Sequence, residues 1–185
     1  MKKTFFALLF FAILFSGMAL AFEFSADTIM TTKGMTTKGR IYYKADRFRM
    51  DTKTPNEMIM ITRIDKKVIW NIMPAEKMYM EMPFTLQNKP MVEDKFQGEI
   101  ERKYIGNETI DGHPTKKYLI TYKEGDKKEQ VYHWWATDIN FGIKTAAIDG
   151  SWTQEYKNVK IESQPNSLFE LPAGYKKLQM PGGMH

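Results

Sequence analysis

Met78, Met80 and Met82 alternate with Tyr79 and Glu81 in one unbroken stretch, and Met58 and Met60 repeat the same spacing upstream. Side chains of an extended strand alternate between faces with period two, so the thioethers of each array share a face. Thioethers on one face have three uses. They fill irregular gaps in a core. They make a flexible wall for apolar ligands of varying shape. Soft sulfur also selects Cu(I), with Met78, Met80 and Met82 as the ligand set. The remaining residues suggest little other chemistry. His113, His133 and His185 are far apart in sequence, and no nucleophile elbow, zinc-binding His-Glu-x-x-His or phosphate loop occurs. Without a convergent acid–base set the chain reads as a binding protein rather than an enzyme, and no cofactor is expected.

The methionines need strands to hold them, and the pattern supplies strands almost everywhere. Val68 to Met73 and Met78 to Pro83 flank a Pro-Ala-Glu-Lys turn and predict a β-hairpin. Phe48 and Met50 oppose Arg47, Arg49 and Asp51, an inside–outside alternation. Tyr118, Ile120 and Tyr122 alternate with Lys117, Leu119 and Thr121, and Tyr132 and Trp134 with Val131, His133 and Trp135. Short turns between such runs favour a meander of sequential antiparallel strands. Trp152 and Tyr156 share a parity that Val159 and Ile161 break, which predicts a bulge or bend near Lys157-Asn158. Leu168 to Tyr175 reads as a segment docked after the sheet. The count is about 10–11 strands with little helix. So many strands predict a mainly β fold, a single antiparallel sheet curled into an incomplete barrel with room for a ligand.

Alternation fails over residues 84–98, where Asn88 and Pro90 could start a short helix carrying Met91, Val92 and Phe96 on one side. A break of this length inside a compact domain is a candidate lid.

Lys2-Lys3, the apolar run Phe5 to Phe15 and Ala19-Leu20-Ala21 form the three parts of a secretory leader, cut before Phe22. Its apolar core is shorter than the roughly 20 residues that span a bilayer. Removing 21 residues from 185 leaves 164, enough for one domain over residues 22–178, with 179–185 as a flexible tail. Loss of Lys2 and Lys3 lowers the net charge from +5 to +3. That charge is scattered, so nucleic acid is not an expected partner. The chain has no cysteine, hence no disulfide and no thiol to carry a lipid anchor. A soluble periplasmic protein is the expectation.

Several motifs occur in an order that resembles a known family. They are Arg-Phe-Arg-Met-Asp at 47–51, then Trp70, Pro74, Lys77 and an offset Tyr79. Gly106 to His113 follows ahead of a Lys-Lys-Tyr strand, then Trp134-Trp135, Gly142-Ile143-Lys144 and Leu168-Phe169-Glu170-Leu171-Pro172. Together they resemble the LolA/LolB-like superfamily of outer-membrane lipoprotein-sorting folds, in its uncharacterised exported branch. The resemblance implies an incomplete barrel with a helical lid and an apolar cavity for acyl chains. Implied partners are a lipid or lipoprotein acyl chain and transient contacts with envelope membranes or membrane proteins.

From these readings the expected apolar wall is Phe48, Met50, Met60, Trp70, Ile72, Met78, Met80, Met82, Tyr132 and Trp134. Arg47 or Arg49 would hold an anionic head group at its mouth. Pro90, Met91, Val92 and Phe96 would form the lid. Two other classes of function remain alongside: Cu(I) binding by the Met-x-Met arrays, and an envelope assembly module without a small ligand.

Overall fold

Runs of alternating residues, each closed by a short turn, favour pairing of each strand with the one before it within a meander. The computed structural model describes residues 22–53, 56–85 and 95–179. The leader, Pro90, Met91, Val92 and the tail beyond Gln179 lie outside the described residues.

The first half is a meander of β1 (Glu23–Thr32), β2 (Met35–Lys44), β3 (Arg47–Thr52), β4 (Met58–Arg63), β5 (Val68–Met73) and β6 (Met78–Pro83). The second is β7 (Glu99–Ile110), β8 (His113–Glu124), β9 (Lys127–Ala136), β10 (Phe141–Ala147) and β11 (Trp152–Ile161). A 3-10 turn, Asn166–Phe169, and the two-residue β12 (Lys176–Lys177) complete the order. Lys33-Gly34 and Asp111-Gly112 both turn with positive φ, the geometry whose twist matches a hairpin.

All the strands form one curled sheet in the order β12-β6-β5-β4-β3-β2-β1-β11-β10-β9-β8-β7. The two meanders meet where β1 pairs with β11, so the first strand lies at the centre, and β6 and β7, consecutive in sequence, lie toward opposite sides of the sheet. The expected curled sheet, not closed into a barrel, is present, with twelve strands in place of about 10–11. β12 pairs with β6 in parallel, because the chain returns from β11 to the β6 edge before pairing. The bulge expected near Lys157-Asn158 is present. The β1–β11 register shifts between Ser25 and Asp27, and Asn158 has φ 51°.

Residues opposed in a ladder share a face. On one face Phe24 opposes Tyr43, which opposes Phe48, and these pack in one core with Ile41 and Phe141. Phe24 on β1 and Phe141 on β10 have ring centroids 4.6 Å apart although β11 lies between their strands. Strands two apart are separated by roughly 9–10 Å, so the rings lean together as they do on the inside of a bend. The Phe24 face is therefore concave here. On the other face Trp70, Ile72 and Ile61 pack under Phe169, Leu168, Leu171 and Tyr175. The C-terminal segment thus straps the back of the first meander.

Candidate functional site

The ladder registers carry the Phe24 face across β2 to β6. Ile41 opposes Met50 and Met50 opposes Met60. Met60 opposes Asn71, which opposes Met80. Thr52 opposes Met58, Met73 opposes Met78 and Ile69 opposes Met82. Met30 and Met35, at the far end of the β1–β2 hairpin, have the same parity. Every methionine among the described residues therefore lies on the Phe24 face, and none lies behind it. Met50, Met60, Met73, Met78, Met80 and Met82 are half-buried, whereas Met58 is 42% exposed. The Asn71 side-chain amide donates to the Met82 sulfur at 3.9 Å, an orienting contact rather than a strong bond.

Apolar side chains continue this face onto the second meander. Phe96 packs against Ile120 and Val131 and meets the His133 ring edge-on at 5.0 Å. Its backbone N–H donates to Glu99, whose carboxylate also binds Arg102. Those contacts, led by the Arg102 hydrogen bonds, hold the Glu99 carboxyl below its ordinary value. Of the four expected lid residues, Phe96 is thus placed over the Phe24 face of β8 and β9.

The expected wall divides between two faces. Phe48, Met50, Met60, Met78, Met80 and Met82 lie together on the Phe24 face. Trp70 and Ile72 do not join them, because Trp70 opposes Glu81 and Ile72 opposes Tyr79. Trp70 donates from Nε1 to Glu81 at 3.0 Å, and Lys177 of β12 donates to the other Glu81 oxygen at 2.7 Å. These bonds, Lys177's first, draw the Glu81 carboxyl below its usual range. Tyr132 and Trp134 are also behind the sheet. Trp134 opposes Lys144, which opposes Glu155, a neighbour of Ile29 and not of Thr28. There Trp134 donates to Glu108 at 2.8 Å, and the ammonium groups of Lys117 and Lys144 sit 4.7 and 5.2 Å from its ring.

The two expected head-group residues change place as well. Arg47 and Arg49 lie behind the sheet, with the strap. Arg47 donates to Asn166, and Arg49 donates to Asp51 and to the Leu168 carbonyl at 3.0 Å. Their charges are used to hold residues 166–168, so they do not stand at the mouth of the methionine face. Two participants went unread from sequence: Met73, whose parity joins it to the array, and Asn71, the polar residue within it. A count across the four-residue Pro74–Lys77 turn would have found both.

The family model for DUF4412, described as a domain of unknown function, matches residues 22–143. No curated protein matches the sequence. Among solved structures, MucB is 11% identical with a TM-score of 0.57, over 83% of this chain and 58% of that one. The Pseudomonas aeruginosa MucA/MucB complex gives 11% identity and a TM-score of 0.59, over 85% and 58%. The chain thus spans less than two thirds of the MucB chains it matches, and at such identity the likeness is one of fold. Structural neighbours also include a domain from Vibrio parahaemolyticus assigned to outer membrane lipoprotein sorting, 11% identical over 80% of this chain and 88% of that one, with a TM-score of 0.36. No helix among the described residues is long and apolar enough to cross a membrane. With its match running from the first described residue into β10, the chain belongs to the DUF4412 family.

Proposed function

We propose that this protein binds a lipid or another acyl-bearing molecule on its methionine-lined face, within the bacterial envelope to which the leader at residues 1–21 directs it. The supporting observation is the segregation of every described methionine onto the Phe24 face, which the registers of β1 to β6 establish. A face needed only for packing would not require so uniform a choice of flexible side chains. Thioether chains adjust to an irregular apolar ligand at small conformational cost. The driving force is burial of apolar area, worth about 25 cal/mol per Å². Binding of this kind needs no chemistry at the ligand.

The test is titration of the purified mature chain with a fluorescent fatty acid, joined to native mass spectrometry of protein recovered from the host periplasm. Saturable binding and a co-purifying lipid mass are expected. Replacing Met60 and Met80 together with Glu places charge in the middle of the face and should weaken binding at least about tenfold, or 1.4 kcal/mol. Lys160→Glu, exposed on the opposite face, should leave it unchanged. A folded wild-type chain that shows no saturable uptake sinks the proposal. MucB is seen in complex with MucA, so recovery of a bound protein in place of lipid would redirect it.

A further inference from the structure

The arrays noticed first in the sequence run along strands, but the registers also stack methionines across strands. Met73 opposes Met78. The β4–β5 ladder ends at Ile59 opposite Ile72, and Met58 and Met73 are the residues that follow this last pair at the ends of their strands. Met58, Met73 and Met78 thus form one continuous row over β4, β5 and β6. It lies at the rim of the sheet, where β4 begins, β5 ends and β6 begins.

We propose that this row, at the rim of the methionine face, is a Cu(I) site, whether or not the rest of that face binds lipid. Cross-strand neighbours have Cβ atoms about 4.5–5.5 Å apart, closer than the roughly 6–7 Å between alternate residues along one strand. Three flexible thioethers at that spacing can turn inward onto one ion. Neutral sulfur donors suit a soft monovalent cation, whereas a harder dication requires imidazole or carboxylate ligands. No group of three or more His, Asp or Glu suited to a metal occurs among the described residues. The charge setting points the same way. Lys176 of β12 lies beside Met78 in parallel register and is exposed. It opposes a dication more than a monocation. Access is open, since Met58 is 42% exposed and the other two are half-buried. Met82, at the far end of β6, opposes Ile69 and lies outside the row. The ligand set is therefore Met58, Met73 and Met78, not Met78, Met80 and Met82.

The experiment is anaerobic competition of the full mature chain for Cu(I) held by the chromogenic chelator bicinchoninate, followed by X-ray absorption of the loaded protein. One equivalent of Cu(I) with a sulfur-only inner shell is expected. Met73→Leu, nearly volume-conserving, should weaken binding by about tenfold or more, while Met82→Leu should not change it. Met78→Leu provides an independent loss, and circular dichroism verifies that each variant folds. Failure to take Cu(I) from the chelator, nitrogen or oxygen in the inner shell, or equal loss in Met82→Leu overturns the assignment. A chain that takes Cu(I) but no fatty acid keeps this site and loses the lipid reading, and the reverse result loses this site alone.

Discussion

Arg63 is almost fully buried, at 3% exposure, and it ties the β4–β5 turn to the strap. It donates to both oxygens of Asp65, to the Phe169 carbonyl at 3.1 Å and to Glu170. The Asp65 hydrogen bonds come first in raising the Arg63 guanidinium above its already high value, against desolvation. The same bonds hold Asp65 below 3.8. Burial pushes Glu170 up, but its bonds to Lys66 and Arg63 outweigh that and leave it below 4.5. Carboxylates depressed in the folded state stabilise it fully above their unfolded values, and that contribution is lost as pH falls through the folded values. Stability measured by urea unfolding should therefore decline below about pH 4.5. Arg63→Met should cost about 3 kcal/mol at neutral pH, since one partner of a buried ionic network is removed. The variant should also show a shallower acid decline than the wild type.

At the scale of elements, the strap and the β5–β6 hairpin separate what alternation reveals from what it hides. Strands such as β3 show a charged and an apolar parity, so their two faces are legible at once. β5 does not: Val68, Trp70 and Ile72 are apolar on one parity, Ile69 and Met73 on the other. Both of its parities carry apolar residues, and only the turn to β6 decides which joins the methionines. Alternation alone therefore does not separate Trp70 and Ile72 from the methionine side. The alternation sets Arg47 and Arg49 opposite Phe48 and Met50, but nothing local announces their partners in the strap, some 119 residues away. The docked C-terminal segment was legible from its Leu-Phe-Glu-Leu run, but not the face it covers. Phe169, fully buried against Ile61, Trp70 and Ile72, is its anchor. Phe169→Ala should cost about 3–5 kcal/mol, the usual loss for a buried phenylalanine. Trp70 would then be exposed, so a red shift of tryptophan emission in the native baseline should accompany the lower urea midpoint.

At the scale of the molecule, two meanders share one seam. β1 is paired on both sides, by β2 and β11, and its Phe24, Ala26 and Thr28 are buried. β7 closes the far end of the order, and most of its residues are exposed. Native-state hydrogen exchange should follow that gradient, because opening free energies track buried contacts. Amides of β1, β2 and β11 should exchange slowest, and those of β7 and β12 fastest. Uniform protection across the sheet would show that it opens only as a unit.

The seam also sets an order of arrival. A polypeptide delivered from its N-terminus presents β1 first, yet its second partner is the last long strand, and the strap that covers the first meander comes later still. Until β11 emerges, β1 has one bare edge and Trp70 and Ile72 have no cover. The sheet cannot be completed on a partly delivered chain. A protein wired in this way remains open while its strands arrive in turn, and closes only when β11 and the strap are in place.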